Sequence, residues 1–121
     1  MEKKATLVLG ASENPSRYSN LAVTRLNKLN NPVYAIGRKK GQIAGVPIET
    51  EKIAFPDIDT ITIYLHPSLQ KEYYDYILSL RPRRIIFNPG AENEELAYLA
   101  ESHNILPVDA CTLVLLSTHQ Y

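Results

Sequence analysis

The sequence has a single cysteine, no excess of charge of either sign, and no apolar run near the length of a bilayer span. One cysteine makes no internal disulfide, so the fold must hold without covalent cross-links and a cytoplasmic setting is the natural expectation. Thirteen basic residues balance thirteen acidic ones. That balance counts against a nucleic-acid partner, because such binders more often carry net positive charge on a basic face. A membrane-crossing helix needs about 20 consecutive apolar residues, and with none in the sequence no membrane partner is expected. Glu2, Lys3 and Lys4 run into a short strand-like segment without a cleavage-site pattern, so no signal peptide is read there. Repeats and low-complexity stretches are also missing. His103 reads as a surface residue at a helix C-terminus and His119 stands apart from Cys or Asp pairs, so no metal constellation is read, and no Ser-His-Asp arrangement is visible.

What is present is an alternation. At 121 residues the chain fits one domain, able to bury roughly two-thirds of its unfolded surface. Short apolar runs at 5–9, 33–36, 60–65, 84–87 and 105–108 read as five strands. Between them, 18–29 spaces Leu21, Ala22, Arg25, Leu26 and Leu29 with helical period and stops at Asn30-Asn31-Pro32. Ser68 is expected to cap a helix running to about residue 80, with Leu69, Tyr73, Tyr76, Ile77 and Leu80 on one stripe. A third helix is expected over 92–102, its acidic first turn suiting the macrodipole. Segment 37–59 is broken by glycine and proline and reads as a loop-rich crossover with one short turn near 50–54. Uninterrupted apolar strands alternating with helices describe an α/β fold whose parallel sheet is covered on both faces.

In such a sheet all strands end at one edge, and ligands bind there near the point where strand order reverses. That rule selects residues 10–17, 37–41, 66–67, 88–90 and 109–111, and it puts Arg81, Arg83 and Arg84 at the opposite edge as a solvated helix end. The first turn has one glycine, Gly10, where a dinucleotide loop normally shows three. Gly10 permits a tight turn, Ser12 and Ser16 offer hydroxyls, and Asn14 or Ser16 can cap the next helix, whose first amides favour an anion. Arg17 adds a planar fork suited to phosphate. At the end of the second strand, Gly37-Arg38-Lys39-Lys40-Gly41 puts three cations where a NAD site places a carboxylate. This favours a ligand with a phosphate on its adenosine ribose, either NADP or coenzyme A. Leu65-His66-Pro67 is expected to line or cap the pocket, since no carboxylate or cysteine at an interpretable spacing orients His66 for catalysis. Asn88-Pro89-Gly90 looks like a turn whose backbone approaches a ligand, and Cys111 reads as a buried, inert thiol.

Taken together these segments resemble the CoA-binding domain family, small Rossmann-like domains similar to the N-terminal domain of the succinyl-CoA synthetase alpha subunit. Gly10-Ala11-Ser12 with Pro15 and Arg17 is similar to the family's first turn. Arg38-Lys39-Lys40-Gly41 with Ile43-Ala44-Gly45-Val46-Pro47 resembles its second-strand loop, although Gly37-Arg38 stands where many relatives have Asn-Pro. Leu65-His66-Pro67 and Asn88-Pro89-Gly90-Ala91, followed by Asn93-Glu94-Glu95, are similar to its later turns. The likeness runs over about residues 5–110. It implies a three-layer Rossmann-like fold with a mainly parallel five-stranded sheet in the order 3-2-1-4-5.

For function, the resemblance implies binding of coenzyme A or an acyl-CoA without catalysis, since the synthetase's phosphorylated histidine belongs to a separate downstream domain. It assigns the ligand to Gly10, Ala11, Ser12, Pro15, Arg17, Gly37, Arg38, Lys39, Lys40, Leu65, His66, Pro67, Asn88, Pro89 and Gly90. In that scheme the first turn and Arg17 hold the pyrophosphate and residues 38–40 the ribose 3′-phosphate. Residues 65–67 lie against the nucleoside, and residues 88–91 line the pantetheine route. Two alternatives stand beside it: an NADP-dependent oxidoreductase-like domain, and a regulatory subunit with a vestigial cleft. The second would act through a protein partner or a second copy of the chain, for which the apolar run at 113–116 offers an interface unless it completes the core.

Overall fold

In the computed structural model, which describes residues 2–121, seven strands form one sheet. β1 (Thr6–Ala11), β2 (Val33–Gly37), β5 (Thr60–Ile63), β6 (Arg84–Phe87) and β7 (Leu106–Asp109) are the five expected strands, within a few residues. The sixth and seventh, β3 (Gly41–Ile43) and β4 (Val46–Glu49), form an antiparallel hairpin inside the segment expected to be a crossover loop. Ala44 and Gly45 both have positive φ, 49° and 82°. That is the two-residue turn whose twist matches a hairpin. Val46 and Ile48 point into the core while Pro47 stays exposed, so a period of two lies beneath the glycine and proline.

The sheet order is β3-β4-β2-β1-β5-β6-β7. This corrects the five-strand order in one respect. The strand at 60–63 pairs with β1 from Thr6↔Thr60 to Leu9↔Ile63, and β4 takes the place beside β2. All pairings except the β3–β4 hairpin are parallel. The strand order reverses across β1, with β2 on one side and β5 on the other.

Successive residues of the central strands bury on opposite faces, as the pleat demands. Leu7, Leu9, Ile61, Ile63, Ile85 and Phe87 form one core with α3 (Tyr74–Ser79) and α4 (Glu94–Ser102). Val8, Ala35, Ile48 and Ile86 form the other with Val23 and Leu26 of α1 (Tyr18–Lys28) and Leu116 of α5 (Thr112–Ser117). The run at 113–116 therefore completes the second core, although Val114 stays exposed. Asn30, at φ 65°, takes the left-handed position after α1.

The helix expected over 68–80 is three pieces: α2 (Pro67–Gln70), a 3₁₀ turn at Lys71–Tyr73, and α3. Its N-cap is His66, not Ser68: Pro67 fits the first helical position, and the His66 ring accepts the Ser68 amide. α4 begins at Glu94 behind Asn93, whose side chain accepts the Leu96 amide at 3.1 Å. No helix among the described residues is long and apolar enough to cross a membrane.

Candidate functional site

The loops leaving β1, β2 and β5 surround one cavity of about 930 Å³ at the C-terminal edge of the sheet. It sits at the strand-order reversal, where open α/β sheets bind ligands. Gly10, Ala11, Ser12 and Arg17 line it from the first turn, Arg38 and Lys39 from the second, Leu65 and His66 from the third. Eight of the fifteen sequence-selected residues thus meet at one cleft. Glu13, Tyr18, Ser19, Tyr64 and Leu69 line it as well, with no sequence signal marking them as ligand residues.

Gly10 has φ 99°, and a β-carbon there would press within 3.2 Å of the Tyr64 carbonyl carbon and the Leu65 side chain. Only glycine lets the first turn pass so close to the end of β5. The turn is then tied internally. The Asn14 amide donates to Ser12 Oγ (3.1 Å), the Ser16 amide to Asn14 Oδ1 (3.0 Å), and Asn20 Nδ2 to the Ser12 carbonyl (2.9 Å). These bonds use up Asn14 within the turn, so neither it nor Ser16 caps α1. The N-cap is Arg17, whose side chain makes no capping bond, and the first helical turn holds no acidic residue. The start of α1 therefore presents backbone N–H groups and positive dipole to the cleft without an internal anion to meet them.

The third loop supplies a different wall. Leu65 stands over Gly10, and Leu69 and Tyr18 are exposed large apolar side chains on the rim. His66 Nδ1 accepts the Ser68 amide at 3.1 Å and lies 2.9 Å from Ser68 Oγ. Because an amide can only donate, the neutral ring carries its proton on Nε2. Tyr64 buries its hydroxyl beside the Thr62 and Thr112 side chains, neither of which meets hydrogen-bond geometry with it, and desolvation outweighs their influence and pushes the phenol pKa up.

The remaining selected residues lie outside the lining. Pro15, Lys40 and Pro67 belong to the same loops without lining the cavity, and Gly37 pairs with Ala11 at the end of the β1–β2 ladder. Pro89 and Gly90 are exposed, and Asn88 is buried. Asn88 Nδ2 donates to Thr62 Oγ1 (2.7 Å) and the Ile63 carbonyl (2.9 Å), and Oδ1 accepts the Thr112 amide (2.9 Å). Gln70, fully buried, joins loops in a similar way, its Nε2 donating to the carbonyls of Leu65 and Ala91. A buried amide tying loops together leaves no period in the sequence, and so nothing there distinguishes Gln70. Among the described residues no group of three His, Cys, Asp or Glu could hold a metal ion.

The donor set suits a phosphorylated nucleotide. Free helix amides and Arg17 suit a pyrophosphate, Arg38 and Lys39 a further phosphate, and Leu65, Leu69 and Tyr18 a flat or apolar part. Comparison with solved structures gives close likeness throughout the chain. A crystal structure of an uncharacterised protein is 44% identical over all of both chains, with a TM-score of 0.97. A hypothetical protein from Pyrococcus horikoshii is 24% identical over 93% of this chain and 80% of its own, at 0.81. A Thermus thermophilus structure is 19% identical over 98% and 91%, at 0.85. The last two show the shared fold alone. A comparison with curated proteins gives no match. The model of the CoA binding domain matches residues 4–117, nearly the whole chain, and the protein belongs to that family.

Proposed function

We propose that the cleft binds coenzyme A or an acyl-CoA through its phosphates and that the chain performs no reaction of its own. One observation carries the reading: the uncapped start of α1 with Arg17, and the Arg38–Lys39 pair, belong to different loops yet line one cavity at the strand-order reversal. The first group holds the pyrophosphate and the second the ribose 3′-phosphate. The apolar wall of Leu65 and Leu69 takes the nucleoside, with the His66 Nε2–H as a donor at its edge. Binding without catalysis agrees with the ring of His66, whose Nδ1 is committed to capping α2 and which has no carboxylate partner in its hydrogen bonds.

Titration calorimetry with coenzyme A, dephospho-CoA and NADPH tests this. Coenzyme A should bind about tenfold or more tightly than dephospho-CoA, since a charge-assisted phosphate contact contributes about 1.5–3 kcal/mol. Lys39→Ala should shrink that preference, while Arg17→Ala should weaken both ligands alike. Equal affinity for the two CoA forms, or tighter binding of NADPH, would overturn the reading.

A further inference from the structure

Glu13 is the one carboxylate lining the cleft among the described residues, and it sits among groups that suit phosphate. An acidic side chain there should oppose an anionic ligand unless its charge is used otherwise. The structure shows the use. Glu13 Oε2 accepts the backbone amide of Gln42 at 2.9 Å, across 29 residues of sequence. Its carboxyl group lies directly over Gly41, filling the space a β-carbon would take. Gly41 does not have a left-handed φ, so its lack of a side chain serves room for Glu13 and not backbone freedom. Gln42 is the second residue of β3, next to Gly41 at the start of the β3–β4 hairpin, and Arg38 and Lys39 lie in the short connection between β2 and β3. Both ends of that connection are therefore fixed: one by the β1–β2 ladder at Ala11↔Gly37, the other by Glu13.

Resting on the nucleotide reading above, we propose that Glu13 is a positioning residue for recognition of the ribose phosphate. Its carboxylate straps the cationic connection to the first turn, so that the two phosphate-binding groups are assembled before the ligand arrives. Glu13 acts through the Gln42 amide and touches no ligand. Its negative charge is met by that amide and lies over the start of the hairpin. Gly41 is the matching half of the device.

The test compares wild type with Glu13→Ala, Glu13→Gln and Gly41→Ala by two measurements. The first needs no ligand: amide hydrogen exchange at Gln42 should be faster in Glu13→Ala and Gly41→Ala than in wild type or Glu13→Gln, whose side-chain oxygen still accepts. The second is the ratio of dephospho-CoA to CoA dissociation constants. Releasing the cationic connection should reduce that ratio about threefold to tenfold in Glu13→Ala and Gly41→Ala, since ordering even one long side chain on binding costs about 0.5–1.5 kcal/mol. Glu13→Gln should retain it. A wild-type ratio near one overturns the nucleotide reading and the ligand role of Glu13 with it. A wild-type preference that Glu13→Ala leaves unchanged, or raises as mere relief of repulsion would, overturns the role of Glu13 alone. Unchanged Gln42 exchange overturns the strap.

Discussion

The two ends of the sheet are built from similar side chains and finished in opposite ways. At the N-terminal end of the strands, Tyr121 folds back beneath them and is buried. Its hydroxyl bonds Thr6 Oγ1, the Arg84 guanidinium lies 4.4 Å from its ring centroid, and Lys4 Nζ reaches its carbonyl oxygen at 3.1 Å. Arg84 Nε also donates to Thr60 Oγ1 at 2.8 Å. At the C-terminal end Thr62, Thr112 and Asn88 close the sheet beneath α5 in the same manner. Beside them, where β1, β2 and β5 end, none of the described residues returns to fill the space. Cations that help close one end are left exposed at the other. The closed end contributes stability and, on the proposed reading, the open end recognition, and substitutions should separate the two.

The largest effect belongs to the closed end. Tyr121→Ala removes a buried aromatic ring and leaves the Arg84 guanidinium without its stacking partner, which should cost about 3–5 kcal/mol in urea unfolding. Tyr121→Phe keeps the ring and loses only the bond to Thr6, about 1 kcal/mol. Coenzyme A affinity of the folded protein should stay within about twofold in both, because Tyr121 does not line the cleft. A Tyr121→Ala protein as stable as wild type would mean that the two ends do not differ in the way described.

A sharper division runs through the C-terminal edge itself. Asn88 stands in a turn that position alone would assign to the ligand, yet all its side-chain hydrogen bonds are internal. Asn88→Ala should leave the Thr112 amide and the Ile63 carbonyl short of a buried partner, costing about 2–3 kcal/mol of stability with little change in nucleotide affinity. Loss of affinity at unchanged stability would move Asn88 from the closed region to the cleft.

This division also marks what is legible in the sequence. Strand β6 matches its expected span of 84–87, and the ligand edge narrows to a few turns, because apolar period and strand direction are local or topological signals. The β3–β4 hairpin is hidden because Gly41, Gly45 and Pro47 read as breakers, when Gly45 makes the turn and Gly41 makes room for Glu13. Asn88, Gln70 and Glu13 resist sorting for one shared reason. Each is a polar residue in or beside a turn, and its role depends on a partner far along the chain that no spacing rule predicts. Gln70 reaches Ala91 across 21 residues, Asn88 reaches Thr62 across 26, and Glu13 reaches Gln42 across 29. The closure by Tyr121, which reaches Thr6 across 115 residues, carries no local signal at all.

Each end keeps one imperfection of the same kind: a buried Arg84 nitrogen at the closed end and, at the other, the buried Tyr64 hydroxyl beside Thr62 and Thr112, both without a partner in hydrogen-bond geometry. Tyr64 permits the finest test. Phenylalanine keeps its packing and removes the unmet hydroxyl, so Tyr64→Phe should be neutral or stabilising by up to about 1 kcal/mol near neutral pH. Burial raises the Tyr64 pKa above its ordinary value of 10.0 in the folded chain. Above that ordinary value the unfolded chain sheds a proton that the folded chain retains, so the unfolded state binds fewer protons and stability falls as pH rises. Below it the contribution is fully present. Tyr121 is shifted the same way, again chiefly by burial, so alkaline unfolding draws on both ends of the sheet. Urea unfolding at about pH 7 and about pH 11 should show a smaller alkaline loss in Tyr64→Phe than in wild type. An equal or larger loss would mean that the Tyr64 hydroxyl reaches water or a partner in solution.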